Sequence, residues 1–241
     1  MIEDIDLVIA NGFIIDKTAD RFSLDPLQRQ NYALRAKNDY RVIDRSNFQP
    51  NEVLLSAKGP AVWTTSQLLS RTECQQWIQR AENINFDEGD FIFKTGKNGY
   101  ERMETGGRRS SATMVMIDQT FASEMVAKLK GHIPEILGDK RKFTGIRESF
   151  LISKYQPGQY FAPHYDGNTS AIVGDGVQSQ SEFTVVLYLS EDFTGGATHY
   201  LPGPQSEVQN PIAVQPMVGH AIIHRAVTIL HAGGEVLSGT K

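Results

Sequence analysis

The stretch Ser149-Phe-Leu-Ile-Ser-Lys-Tyr155-Gln-Pro-Gly-Gln-Tyr-Phe-Ala-Pro-His164-Tyr-Asp166-Gly167 decides the fold. Residues 149–155 read as a strand, and Gln156-Pro157-Gly158 is a turn signal that ends it. Downstream the pattern repeats. Short apolar runs at Phe183–Leu189, Ala197–Leu201, Ile212–Val214, Ala221–Ile223 and Val227–Leu230 are separated by Thr194-Gly-Gly and Pro202-Gly-Pro. Upstream the period changes. Cys74, Trp77 and Ile78 recur at helical spacing in a helix from Leu69 to about Glu82, capped by Ser70 or Thr72. A second helix is expected from Phe121 through Leu129 to Ile136. Helices followed by many short antiparallel strands give an α+β class with a sandwich or barrel-like β core.

Further out, residues 1–58 read as an N-terminal extension packed on a domain spanning 59–241. Leu7-Val-Ile-Ala and Phe13-Ile-Ile around Asn11-Gly12 suggest a hairpin, and Asp25-Pro26 suggests a helix start. A chain of 241 residues can bury a core as one domain. The net charge of -4 gives no global pull toward nucleic acid or anionic membrane. Cys74 is the one cysteine, so no intramolecular disulfide forms, and its helical context marks it as a small buried hydrophobe. The start lacks a cationic segment before an apolar one, and no run of about 18 apolar residues exists. The expectation is a soluble, intracellular (cytoplasmic or nuclear) protein.

The chemistry-bearing residues begin with His164 and Asp166. In an extended H-x-D segment the first and third side chains share a face, because strand side chains alternate with period two. One imidazole and one carboxylate can then reach a single cation. Two histidines and a carboxylate on one face of an octahedron form the facial triad of non-haem Fe(II) oxygenases, which leaves three positions open. The second histidine must come from a later strand. His231, in Leu230-His-Ala-Gly-Gly, is the candidate; His220 and His224 are rivals without a following Gly-x-Lys pattern. Lys241 stands ten positions after His231, and a lysine ammonium deep in a β core is costly unless it meets an anion. His199 reads as structural, and His132 as a solvated histidine on a helix. Between the helices, the glycines at 96, 99, 106 and 107 argue a mobile loop from about Phe93 to Arg109, carrying Tyr100, Arg108 and Arg109 as a substrate lid.

Five blocks in order carry a family resemblance: Leu69-Ser-Arg-Thr-Glu-Cys, the Tyr155–Gly167 stretch, Phe183-Thr-Val-Val-Leu-Tyr-Leu-Ser, Gly195-Gly-Ala-Thr-His-Tyr, and Leu230-His-Ala-Gly with Gly239-Thr-Lys. From about residue 60 onward the chain resembles the prolyl 4-hydroxylase-like branch of the Fe(II)/2-oxoglutarate dioxygenases. The resemblance implies a double-stranded β-helix (jelly-roll, cupin-like) core with supporting N-terminal helices. It implies Fe(II) on His164, Asp166 and His231, and the far carboxylate of 2-oxoglutarate on Lys241. It also places Tyr155, Thr184 and Tyr188 where the family hydrogen-bonds that co-substrate, and Arg109 where it meets substrate. Expected co-substrates are 2-oxoglutarate and O2, with ascorbate as an accompanying reductant, and succinate and CO2 as co-products of hydroxylating an unactivated C–H bond. A retained carboxylate at Asp166 argues for hydroxylation, since related halogenases lack it. The substrate stays open among a peptidyl proline, an amino acid and another small molecule. Collagen is not expected, because the signal peptide and disulfides of the secretory members are missing. A nucleic-acid demethylase of the same superfamily and a catalytically silent binding domain are the alternatives; no nucleic-acid or membrane partner is expected.

Overall fold

The structure is a computed structural model describing residues 7–10, 13–16, 41–43, 45–55, 61–84, 86–87, 91–96, 99–104, 109–134, 142–167, 170–173, 177–202, 206, 208 and 211–241. The first strands are β1 (Leu7–Ala10), β2 (Phe13–Asp16), β3 (Arg41–Ile43), β4 (Val53–Leu55) and β5 (Val62–Thr64). Helix α1 (Arg71–Ile84) leads to β6 (Phe91–Gly96), β7 (Gly99–Glu104) and β8 (Ala112–Ile117), and helix α2 (Gln119–Leu129) to β9 (Ser149–Lys154). Then come β10 (Phe161–His164), β11 (Ser170–Val173), β12 (Val177–Gln180), β13 (Phe183–Leu187), β14 (Phe193–Gly195) and β15 (Thr198–Leu201). The chain closes with β16 (Ile212–Val214), β17 (Ala221–Arg225), β18 (Leu230–Gly233) and β19 (Val236–Gly239).

Two sheets carry the architecture, in the orders β10-β18-β15-β16-β3 and β13-β17-β5-β4. Period-two alternation explains how they meet. Ile43, Tyr200, Ile212 and Val214 from the first sheet and Val62, Val186 and Ile222 from the second share one core cluster. The intervening residues of the second sheet, Trp63, Ala221 and Ile223, face the other way and pack with Cys74 of α1 and Met125 and Leu129 of α2. One face of that sheet therefore meets the first sheet, and the opposite face is covered by helices. Cys74 is fully buried, and burial pushes its thiol up to about 11, which keeps it protonated.

Both helices have the starts that their sequences specify. Ser70 and Glu73 form a capping box: the Ser70 N–H donates to Glu73 Oε2 at 2.7 Å, and the Glu73 N–H to Ser70 Oγ at 3.2 Å. Asp118 caps α2, accepting from the Phe121 N–H at 2.8 Å. The helix expected after Asp25 lies outside the described residues, as do Gly106, Gly107 and Arg108.

Several expectations are corrected. The segment read as a loop over residues 93–109 is an antiparallel hairpin through its described part, β6 against β7 from Phe91↔Glu104 to Gly96↔Gly99. The last apolar run was placed too early: residues 226–228 are turn, and the strand runs Leu230–Gly233. Pairing decides this, since β18 is held by β10 on one side and β15 on the other. His132 follows α2 rather than lying in it, and is half-buried with Nε2 3.0 Å from Ser66 Oγ. β1 and β2 do form the hairpin read from Asn11-Gly12.

Candidate metal centre

His164 ends β10 and His231 sits in β18, directly opposite it in register. On β18 the neighbours Leu230 and Ala232 pack on one side of the sheet, so period two turns His231 to the other. Asp166 follows His164 by two residues. The three residues each offer a ligand atom, and these atoms lie within 4.8 Å of one another. His164 Nε2 is 3.5 Å and His231 Nε2 3.6 Å from Asp166 Oδ1.

The imidazoles are set up as ligands by what their other nitrogens do. His164 Nδ1 donates to the Ala162 carbonyl at 2.8 Å, and His231 Nδ1 to the Ile229 carbonyl at 3.1 Å. A carbonyl only accepts, so the proton sits on Nδ1 and the Nε2 lone pairs point at the same carboxylate oxygen. Burial holds His231 well below the usual imidazole range and thus neutral. At Asp166 burial acts to raise the carboxyl, but its polar surroundings, the bond from His224 among them, outweigh it and hold it well below the usual carboxylate range. Two imidazoles and one carboxylate are the donor set that borderline divalent metals take.

The other expected site residues divide into three places. Thr184 reaches the cluster itself, donating from Oγ1 to Asp166 Oδ2 at 2.6 Å. Tyr188 is buried in the core with its hydroxyl 2.6 Å from Thr198 Oγ1. Tyr155 and Lys241 form a separate group: their backbones exchange hydrogen bonds at 2.7 and 3.0 Å, and Lys241 Nζ lies 5.2 Å from the Tyr155 ring centroid. Lys241 Nζ donates to the Gly196 carbonyl at 2.7 Å, and burial lowers it to about 8. His199 is buried nearby; burial, then the Lys241 charge, pushes it down to about 3, so it is neutral.

Arg109, expected at the substrate, is buried, at 4% exposure. Its Nε donates to Ser111 Oγ at 2.7 Å, its Nη2 bonds Ser153 Oγ, and its guanidinium carbon lies 4.7 Å from the Phe161 ring centroid. Phe161 in turn stacks on His164, ring centroids 3.7 Å apart and 20° from parallel. A layered stack of Arg109, Phe161 and His164 thus buttresses the first imidazole. His220 lies elsewhere, against Phe48 and the Thr65 carbonyl. His224 does reach Asp166, through Nε2 to Oδ2 at 3.0 Å, though it is outside the group of converging ligand atoms. In the sequence His224 stands only as a rival ligand. The available signal was a histidine at period two from Ile222, on the core-facing side of an apolar strand.

Residues 150–241 match the family model of the 2OG-Fe(II) oxygenase superfamily. Through that segment the chain is similar to this superfamily. No curated protein sequence matches the chain. Among solved structures, a prolyl hydroxylase from Trichoplax adhaerens in complex with a hypoxia inducible factor oxygen degradation domain peptide fragment is similar at TM-score 0.52 and 13% identity, covering 89% of each chain. The viral collagen prolyl hydroxylase of Paramecium Bursaria Chlorella virus-1 aligns at TM-score 0.45 and 21% identity, over 76% of this chain and 92% of that one. A Pseudomonas putida prolyl-4-hydroxylase aligns at 0.42 and 14%, over 74% and 86%. The likeness to the Trichoplax structure is one of fold. Among the described residues, no helix is long and apolar enough to cross a membrane.

Proposed function

We propose that the protein is an Fe(II)/2-oxoglutarate-dependent oxygenase that hydroxylates an unactivated C–H bond in a prolyl 4-hydroxylase-like manner. The observation that carries the reading is the pair of Nδ1-anchored imidazoles whose Nε2 atoms face one Asp166 oxygen at 3.5 and 3.6 Å. His164, Asp166 and His231 would hold the metal, and a three-residue set leaves positions for co-substrate and O2. When bound, the iron and 2-oxoglutarate supply the oxidising chemistry, with succinate and CO2 as co-products. The chain's own residues bind and orient. Lys241, a half-buried cation beside Tyr155, would meet the far carboxylate of 2-oxoglutarate, and the neutral His199 leaves that charge uncontested. The Phe161–Arg109 stack holds the His164 ring in plane and keeps water from its face. The substrate would be a peptidyl proline, a free amino acid or another small molecule.

The test is anaerobic addition of Fe(II) and 2-oxoglutarate, followed by a succinate-release screen on proline peptides, free amino acids and alkylated oligonucleotides. A charge-transfer band that needs both additions, absent in Asp166→Ala, is the expected result. A protein that binds neither would refute the reading, and turnover on the oligonucleotide alone would reassign the substrate.

A further inference from the structure

The second oxygen of Asp166 is committed to two donors that no ligand role requires. Thr184 and His224 are cross-strand partners on β13 and β17, and both side chains reach Oδ2, at 2.6 and 3.0 Å. His224 is fully buried, so its polar atoms depend on protein partners. Its Nδ1 is 3.2 Å from the Tyr200 hydroxyl. To bond an ionised carboxylate, Nε2 must carry hydrogen; Nδ1 is then the acceptor and Tyr200 the donor. This tautomer is the reverse of that in His164 and His231, whose Nδ1 atoms donate to carbonyls. An imidazole with hydrogen on Nε2 has no lone pair there for a metal.

We infer that His224 is a positioning residue which, with Thr184 and oriented by Tyr200, clamps Asp166 Oδ2 so that Oδ1 alone faces the two imidazoles. The consequence is chemical. A carboxylate with both oxygens free can chelate a divalent ion or swing away from it, and either change alters the positions left for co-substrate. Two donors on Oδ2 disfavour both. The ring of His224 also lies 4.4 Å from that of His231, centroid to centroid, so the same side chain packs beside two of the three metal-facing residues. This inference rests on the metal-site reading given above.

The test loads Co(II) into wild type, His224→Leu, His224→Gln and Asp166→Ala, and reads Co(II) affinity and the d–d absorption spectrum. His224→Leu, without a donor, should bind Co(II) about 10–100-fold more weakly, the usual effect of losing such an outer contact, and should shift the d–d bands. His224→Gln, which retains an N–H donor, should stay close to wild type in both. Unchanged affinity and spectrum in folded His224→Leu would overturn the inference. Wild type that fails to bind Co(II), or Asp166→Ala that binds as well, would instead overturn the metal-site reading beneath it. Should His224→Leu not fold, nitrogen-15 NMR of Zn(II)-loaded wild type decides: His224 must show hydrogen on Nε2, and hydrogen on Nδ1 alone would refute the clamp.

Discussion

Lys241 shows what a single residue can decide. Its ammonium has left water for a site beside an aromatic ring and one carbonyl, and burial lowers it to about 8 from the ordinary 10.5. Above pH 8 the free protein therefore holds a neutral lysine, and binding a dianion must bring a proton with it. The expected outcome is 2-oxoglutarate affinity that is level below about pH 8 and weakens above it by about tenfold per pH unit. Titrations of the Mn(II)-loaded protein from neutral to alkaline pH measure this. Lys241→Ala should lose the charge-assisted bond, on the order of 1.5–3 kcal/mol or tenfold and more in affinity, and should flatten the pH dependence. Arg109 makes the opposite case. Expected from the sequence at the substrate, it is buried against Phe161 and two serines. Arg109→Ala should therefore destabilise the fold by on the order of 2–4 kcal/mol in urea unfolding, since it strips partners from buried hydroxyls and cover from a ring. Unaltered stability with a raised substrate KM would return Arg109 to the substrate. That His164 and Asp166 can reach one cation was legible in their spacing, a local rule, whereas His231 was legible only through the motif around it, Leu230-His-Ala-Gly with Gly239-Thr-Lys. The Thr184–His224 pair on Asp166 was not, because it depends on which strand lies beside which and in what register.

At the scale of elements, what was legible divides along the same line. Helix starts written into neighbouring residues appear where expected, as the Ser70–Glu73 box does. Strand ends that depend on pairing do not: Val227-Thr-Ile looked like strand, yet the residues that pair are Leu230–Gly233. The element that matters most for the proposed co-substrate site is the ladder of β14 and β19, which delivers Lys241 to Tyr155. It turns on Gly239, whose φ of +78° lies in the left-handed region. A Cβ there would stand 2.3 Å from the Asp192 carbonyl oxygen and 2.8 Å from Phe193 Cα, both backbone atoms with little freedom to give way. Gly239→Ala should therefore cost at least on the order of 1–3 kcal/mol in chemical denaturation. Because the strain lies two residues before Lys241, it should also weaken 2-oxoglutarate binding while sparing Co(II) affinity. Equal losses of both ligands would mean that the strain spreads through the whole core instead.

For the whole molecule, the metal-facing residues tie together parts of the chain that are far apart in sequence. His164 ends β10, Asp166 lies just beyond it, and His231 arrives on β18 from the other side of the intervening hairpins. Asp166 is bonded in turn to Thr184 and His224 of the second sheet, so a metal on Oδ1 is linked to both sheets through one carboxylate. In the unfolded chain these groups are dispersed. A divalent ion should bind the native state far better than the unfolded one, and stabilise it by RT ln(1 + [L]/Kd), about 2.7 kcal/mol at a hundredfold excess over Kd. For a chain of this size that corresponds to a rise of about 5–10 °C in Tm. Thermal melts with chelator and then with Mn(II) or Zn(II) should show the rise for wild type and lose it for Asp166→Ala. The expected pH dependence has a definite sign: imidazoles must be neutral and the carboxylate ionised to bind, so the metal-induced rise should fade as the pH falls. A Tm that ignores metal at neutral pH, or a rise that survives in Asp166→Ala, would show that the three residues converge for a reason other than metal.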